Sequence, residues 1–167
     1  MTPEQIANPT YRYTLRRTLT DAAKAGATVR TVVWVMLNPS TADDLVDDPT
    51  IRKVMHLSRE HGYDELVVVN LFAARSTQPK HLLKMANPRG PENPAYIEAA
   101  IDRAEAVVFA FGSFTKFDKI PGGRDWGREV WRKALETHGQ VLCCGINGDG
   151  SPKHPCYLPN DTKLVPW

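Results

Sequence analysis

The chain is short of cysteine, of long apolar runs and of net charge, and each shortage removes a class of protein. Its three cysteines, two of them adjacent at Cys143 and Cys144 and the third at Cys156, form no CxxC pair. Reduced thiols are expected, and two adjacent strand residues facing opposite sides read as core fillers. No apolar stretch approaches the roughly 18 residues of a membrane span, so no membrane partner is expected. The opening residues, Met1 to Gln5, lack a basic segment followed by an apolar one, which points away from export and toward the cytoplasm. Lys and Arg number 21 against 19 Asp and Glu, a net charge of +2. That balance excludes a strongly basic nucleic-acid binder and leaves room for a local patch.

What remains is ordinary globular material. Hydrophobic residues make up 42% and charged residues 24% of 167. One domain over 1–167 is expected, large enough to bury about 70% of its unfolded surface without disulfides or metals.

The chain is organised around Val32 to Leu37, an unbroken apolar run that reads as a strand buried on both faces and that halts at Asn38-Pro39-Ser40. Proline cannot donate to a ladder and keeps the residue before it extended, so Asn38 belongs at the strand's carboxyl end. Before it, Tyr11 to Arg16 alternates apolar and polar residues, as an antiparallel edge strand would. After it comes a loop with acids at 43, 44, 47 and 48, then Asp48-Pro49-Thr50, which caps and opens a helix running to Gly62.

Leu66 to Leu71 predicts a second buried strand, interrupted only by Asn70. From Phe72 to Pro91 there is no acid, while Arg75, Lys80, Lys84 and Arg89 occur; this predicts a long basic loop with a short helix near 79–86. Asn93-Pro94 predicts a capped helix to about Glu105. Ala106 to Phe111 is a third strand, followed by a glycine-containing basic loop from Ser113 to Arg124. Trp126, Val130, Trp131, Ala134 and Leu135 mark an amphipathic helix ending at Gly139. Val141 to Cys144 is a fourth strand, and the remainder is a Gly-, Pro- and Asn-rich tail holding Lys153, His154 and Pro155.

Strands and helices thus alternate, the pattern of a three-layer α/β/α domain with a central, mostly parallel four-stranded sheet and an N-terminal edge strand. Parallel strands bring Asn38, Asn70, the loop after Gly112 and the loop of His154 to one rim, where open sheets bind ligands. An amide such as Asn70 at the end of an apolar strand needs partners for its donors and acceptor. It could read the edge of a flipped pyrimidine or close a loop by a hydrogen bond; Asn38 could likewise cap a turn, and His154 could be simply solvated. Cys156 lies two residues from His154, but nothing orients such a pair as nucleophile and base.

The order of these motifs resembles the uracil-DNA glycosylase superfamily. Leu37-Asn38-Pro39-Ser40 is similar to its first motif as found in the mismatch-specific and single-strand-selective branches, with Met36 where the motif carries glycine. Val69-Asn70-Leu71 is similar to the strand-end Asn that reads the pyrimidine. Ala110-Phe111-Gly112 resembles the third strand, and His154-Pro155 with Leu158 resembles the second catalytic motif. The resemblance implies Asn38 and His154 as catalytic residues, one positioning water and the other stabilising charge on the base, with Asn70, Pro39, Ser40 and Phe72 around the base. Three cysteines are too few for the iron-sulfur cluster of one branch, so no cofactor and no metal are expected. More closely, Met36 to Asp43, Asp47 to Thr50, Val69 to Phe72 and Asp149 to Leu158 resemble a bacterial and phage family of unknown function, the domain numbered 1643.

These readings lead to three functional expectations. The first is a DNA glycosylase-like hydrolase acting on a flipped, modified or mismatched base, with Arg75, Lys80, Lys116, Arg124 and Lys153 holding phosphates. The second is a non-catalytic module that recognises such bases. The third is an enzyme acting on free nucleotides or nucleosides, which suits the near-neutral charge. Nucleic acid, single-stranded or with a flipped base, is the expected partner in the first two; oligomeric state is left open.

Overall fold

In the computed structural model, residues 9–40, 42 and 46–167 are described; Asp43 and Asp44 of the acidic loop lie outside them. The elements in chain order are β1 (Thr14–Thr18), β2 (Thr31–Met36), α1 (Pro49–Glu60), β3 (Glu65–Asn70), a 3-10 turn (Pro79–Lys84), α2 (Asn93–Arg103), β4 (Ala106–Phe109), α3 (Phe114–Phe117), α4 (Gly123–His138), β5 (Leu142–Cys143), a second 3-10 turn (Pro155–Tyr157) and β6 (Val165–Pro166). They form a mixed α/β structure around one six-stranded sheet of order β1-β3-β2-β4-β5-β6. The expected four strands plus one edge strand fall short by one. β6 closes the second edge antiparallel to β5, and a two-residue strand with Pro166 in it carries no periodic signal to announce it.

The four inner strands are parallel, and β1 runs antiparallel along β3 rather than along β2, its successor in the chain. Alternation along β2 sorts its side chains. Val32, Trp34 and Met36 face α1, packing with Ile51, Val54 and Leu57, whereas Val33 and Val35 face α2 and α4, packing with Ile97, Ile101, Val130 and Ala134. Each fully buried aliphatic or aromatic side chain of this kind contributes about 1.5–3 kcal/mol. Trp34, wholly buried, also satisfies its indole N–H on Ser58 Oγ of α1 at 3.0 Å.

Helix boundaries follow local chemistry. Asp48 caps α1, its Oδ1 accepting from Ile51 N at 2.9 Å, and Pro49 fills the first turn. Asn93, expected as a cap, instead begins α2 with its side chain turned inward, and the cap position falls on Glu92 without a side-chain bond. Gly127 in the middle of α4 lies where a Cβ would meet the Phe117 ring at 2.3 Å, so glycine there permits the ring's close approach. Among the described residues, no helix is long and apolar enough to cross a membrane.

The connections decide where a cleft opens. The chain leaves β2 toward α1 on one face, but leaves β3 and β4, its two neighbours, toward α2 and α4 on the other. Loops parting to opposite faces above adjacent strands leave a crevice at the carboxyl rim.

Candidate functional site

That crevice is a pocket of about 800 Å³ lined by the strand ends, the start of α1 and the loops after β4 and β5. It is of the size that holds small-molecule and cofactor-sized ligands.

Asn70 forms part of its floor. As the last residue of β3 it stands beside Met36 of β2, and it is 2% exposed. Among the described residues its Nδ2 has no hydrogen-bond partner, an arrangement that costs free energy unless a ligand supplies an acceptor. The backbone beneath it is rigidly held. Asn93 Nδ2 donates to the carbonyls of Asn70 and Leu71 at 2.8 and 3.1 Å, and Trp126 Nε1 donates to the Leu71 carbonyl at 2.7 Å.

Asn38 lies beyond the end of β2, where cross-strand bonding continues past the strands proper: Leu71 N donates to Met36 O and Phe72 N to Leu37 O, both at 2.9 Å. Its Nδ2 donates to the carbonyls of Ser76 at 2.7 Å and Pro39 at 3.0 Å. Two carbonyls on one side of the amide determine which atom is nitrogen, and with both donors committed Asn38 has only an acceptor, Oδ1, left to offer.

His154 stands on the opposite wall, its Cβ packed near Gly112. Its Nδ1 accepts from Cys156 N at 3.3 Å, so the neutral ring carries its proton on Nε2 as a donor. Although the residue is exposed toward the pocket mouth, the protein around the ring pushes its pKa below the usual histidine value, helped by Lys116 and opposed by Asp48. The imidazole is neutral at neutral pH.

Of the sequence-derived site residues, the pocket therefore brings together Asn38, Ser40, Asn70, Lys116, Lys153 and His154. Others sit elsewhere. Pro39 is buried behind the pocket wall, its carbonyl accepting from Ser76 N. Phe72 is core, packed on Phe117 with ring centroids 6.1 Å apart. Arg75 bonds the Ala42 carbonyl at 3.4 Å, Lys80 is exposed on the first 3-10 turn, and Arg124 is engaged with Asp118 at 2.8 and 2.5 Å.

Several lining residues escaped the sequence reading. Asp48, which holds the α1 cap with one oxygen, also faces the pocket. The Asp-Pro-Thr signal that predicted the helix start was enough to place an acid on this rim. Arg12, whose guanidinium bonds the Ala42 carbonyl, and Phe111 line it too. Arg12 gave no local signal. Asp149 ties the two loops of the far wall, accepting from Ser113 Oγ at 3.0 Å, Phe114 N at 3.2 Å and Ser151 N at 3.0 Å. Tyr157, 96% exposed, stands at the mouth. Among the described residues no group of His, Cys, Asp and Glu is arranged to hold a metal ion.

The comparisons with curated proteins and with solved structures each return no match. The comparison with family models does return one, over residues 12–156, which include every pocket residue named above except Tyr157. The chain therefore belongs to the family described as Protein of unknown function (DUF1643).

Proposed function

We propose that the protein recognises a nucleobase taken out of its stack and hydrolyses the bond joining it to the sugar. The observation that carries this is the buried, unpaired Nδ2 of Asn70, at a parallel strand's carboxyl end and on the lining of a pocket that also holds Asn38 and His154. A donor in that position asks for an acceptor such as a keto oxygen of a base, and Phe111 offers the ring an apolar wall.

The remaining groups have complementary roles. Water held by the free Oδ1 of Asn38 attacks the anomeric carbon; the C–N bond breaks, and the base leaves with the electron pair. Asn38 is a poor base, so the proton of the water passes to the carboxylate of Asp48 across the same pocket. Negative charge grows on the departing base, and Nε2–H of neutral His154 donates to it. Lys116 and Lys153 supply positive charge nearby, and the exposed ring of Tyr157 gives an unstacked strand a surface at the mouth. A motif order that resembles that of the uracil-DNA glycosylases, and helices on both faces of the sheet, support a glycosylase-like arrangement.

One observation favours a second reading. A pocket of about 800 Å³ exceeds the needs of one base and contains Arg12 as well as two lysines, which would suit a free nucleotide with its phosphate.

The test is to incubate the protein with oligonucleotides bearing uracil, mismatched and modified bases, and in parallel with the matching nucleosides and nucleotides. Abasic sites in the oligonucleotides, absent with Asn38→Ala, are the expected result. Base release from the monomers alone would shift the assignment to the second reading. Base-selective binding without release of any base would make the protein a recognition module.

A further inference from the structure

Beside the first pocket, on the side of α3 and α4, lies a second cavity of about 430 Å³ that shares Phe111 and Asp149 with it. Its walls are aromatic. Phe111 and Phe117 stack at its base with centroids 5.2 Å apart, while Phe114, Trp131 and Trp167 remain partly exposed around it. Trp167 is anchored there by Nε1 donating to the Gly150 carbonyl at 2.9 Å and by its ring on Phe109 and Phe111 at 5.3 and 5.7 Å.

Two features distinguish this cavity from a packing defect. Trp34, Trp126 and Trp167 each place their indole N–H on a protein acceptor, whereas that of Trp131 has no partner among the described residues. A half-exposed indole whose N–H is taken by no protein acceptor offers a flat ring and a donor to a planar ligand carrying acceptors. Two arginines stand on the rim beside the carboxylate of Asp149: Arg124, held by Asp118, lies over the Phe114 ring at 5.5 Å, and Arg128 among the described residues meets Asp125 alone, at 3.5 Å and with both side chains largely exposed. So loose a pair can exchange its carboxylate for a phosphate at little cost.

We propose that this cavity takes the base of the nucleotide next to the one held in the first pocket, with Arg128 on the phosphate, so that the ligand is a single strand of nucleic acid and not a free nucleotide. The inference rests on nucleobase recognition in the first pocket. The common wall of Phe111 and Asp149 places the two cavities side by side, as successive nucleotides of one strand require. Aromatic walls with a cationic rim are the general means of holding unstacked bases without reading their sequence.

Calorimetric titration with thymidine 5′-monophosphate and with hexathymidylate tests it on the full chain. The hexamer should bind at least about tenfold more tightly than the monomer, the scale of one added base stack. Trp131→Ala should remove that advantage and leave the monophosphate's affinity unchanged, while Trp131→Phe retains it. Arg128→Gln should weaken only the hexamer and reduce its salt slope by about one. If Trp131→Ala does not fold, Arg128→Gln and Phe114→Ala carry the same comparison.

Equal affinity for the two ligands, no hexamer binding at all, or a hexamer affinity unchanged in these variants would overturn the proposal. Asn70→Leu separates it from its premise. Hexamer binding that survives Asn70→Leu but not Trp131→Ala keeps the second cavity and removes the base from the first pocket. The reverse pattern keeps the first pocket and refutes the second.

Discussion

The two ends of the parallel sheet are built on opposite terms. At the amino end, where β2, β3 and β4 begin, Arg30 forms a forked pair with Glu105 at 2.7 to 3.1 Å, donates to the Gly62 carbonyl at 2.9 Å and lies over the Tyr63 ring. Its backbone N–H meets Asp64, which also accepts from Thr20 Oγ1 at 2.6 Å. Donors there find acceptors. At the carboxyl end Asn70 keeps an unpaired donor, Asn38 a free acceptor and His154 an uncommitted N–H. The difference is one of saturation: paired polar groups hold a structure, and the unpaired ones at the rim are those that the proposed function would put to use.

Breaking the carboxyl end should have the largest effect on function. With a cleavable substrate in hand, His154→Ala should lower the turnover by about 10²–10³-fold, the scale for losing one donor to a developing anion. Asn38→Ala should abolish cleavage while leaving binding largely intact, because water positioning matters only on the way to the transition state. Single-turnover kinetics beside equilibrium binding would check both.

Asn70→Leu sharpens the comparison further, since it should move stability and function in opposite directions. Removing a buried unpaired amide in favour of an apolar side chain of similar shape should raise the unfolding free energy by about 1 kcal/mol. Base binding should fall at the same time, as the ligand's acceptor loses its donor. Chemical denaturation and titration with base-containing ligands on one preparation would show whether the two effects separate. A destabilised variant would mean that the amide is structural.

A smaller effect concerns the charge facing His154. Its folded pKa is lowered, chiefly by burial and then by Lys116, while Asp48 raises it. Lys116→Gln should therefore raise the imidazole pKa and Asp48→Asn should lower it further, as NMR titration of the ring would record. Because a lowered value keeps the ring neutral, the limb of any pH–rate profile that reports His154 should lie on the acid side of an ordinary histidine.

The smallest effect is expected at the amino end, where the forked pair is half exposed and exchanges with water. Arg30→Met should lower the melting temperature slightly, less so at high salt, without touching ligand binding. Glu105 and Asp64 are held below the ordinary carboxylate range, by Arg30 and by Thr20 respectively. Their contribution is thus present at neutral pH and disappears as pH falls through those lowered values, so the melting temperatures of variant and parent should converge in acid.

Much of this architecture is local in origin and was legible residue by residue. Continuous apolar runs at 32–37, 66–71 and 106–111 announced strands buried on both faces, and Asp48-Pro49 and Gly139 marked helix ends, because burial period and capping chemistry are written within a few residues. The parallel arrangement then placed Asn38, Asn70 and His154 on one rim. The edge strand β6, too short to show a period, could not be read, and neither could the inward turn of Asn93, which depends on carbonyls more than twenty residues away.

What only the tertiary structure decided is which polar atoms are already used. Sequence determined that two asparagines and a histidine end near each other, but Asn38 surrenders its donors to Ser76 and Pro39 while Asn70 surrenders none, and nothing in either local sequence distinguishes them. Likewise Phe72 and Phe111 both follow strands and both pack on Phe117 in the core, yet Phe111 also walls the two cavities and Phe72 lines neither of them. Hydrogen bonds and ring contacts are settled between segments distant in the chain, so their completion, unlike the pattern of burial, exists only once the sheet has closed and its loops have parted.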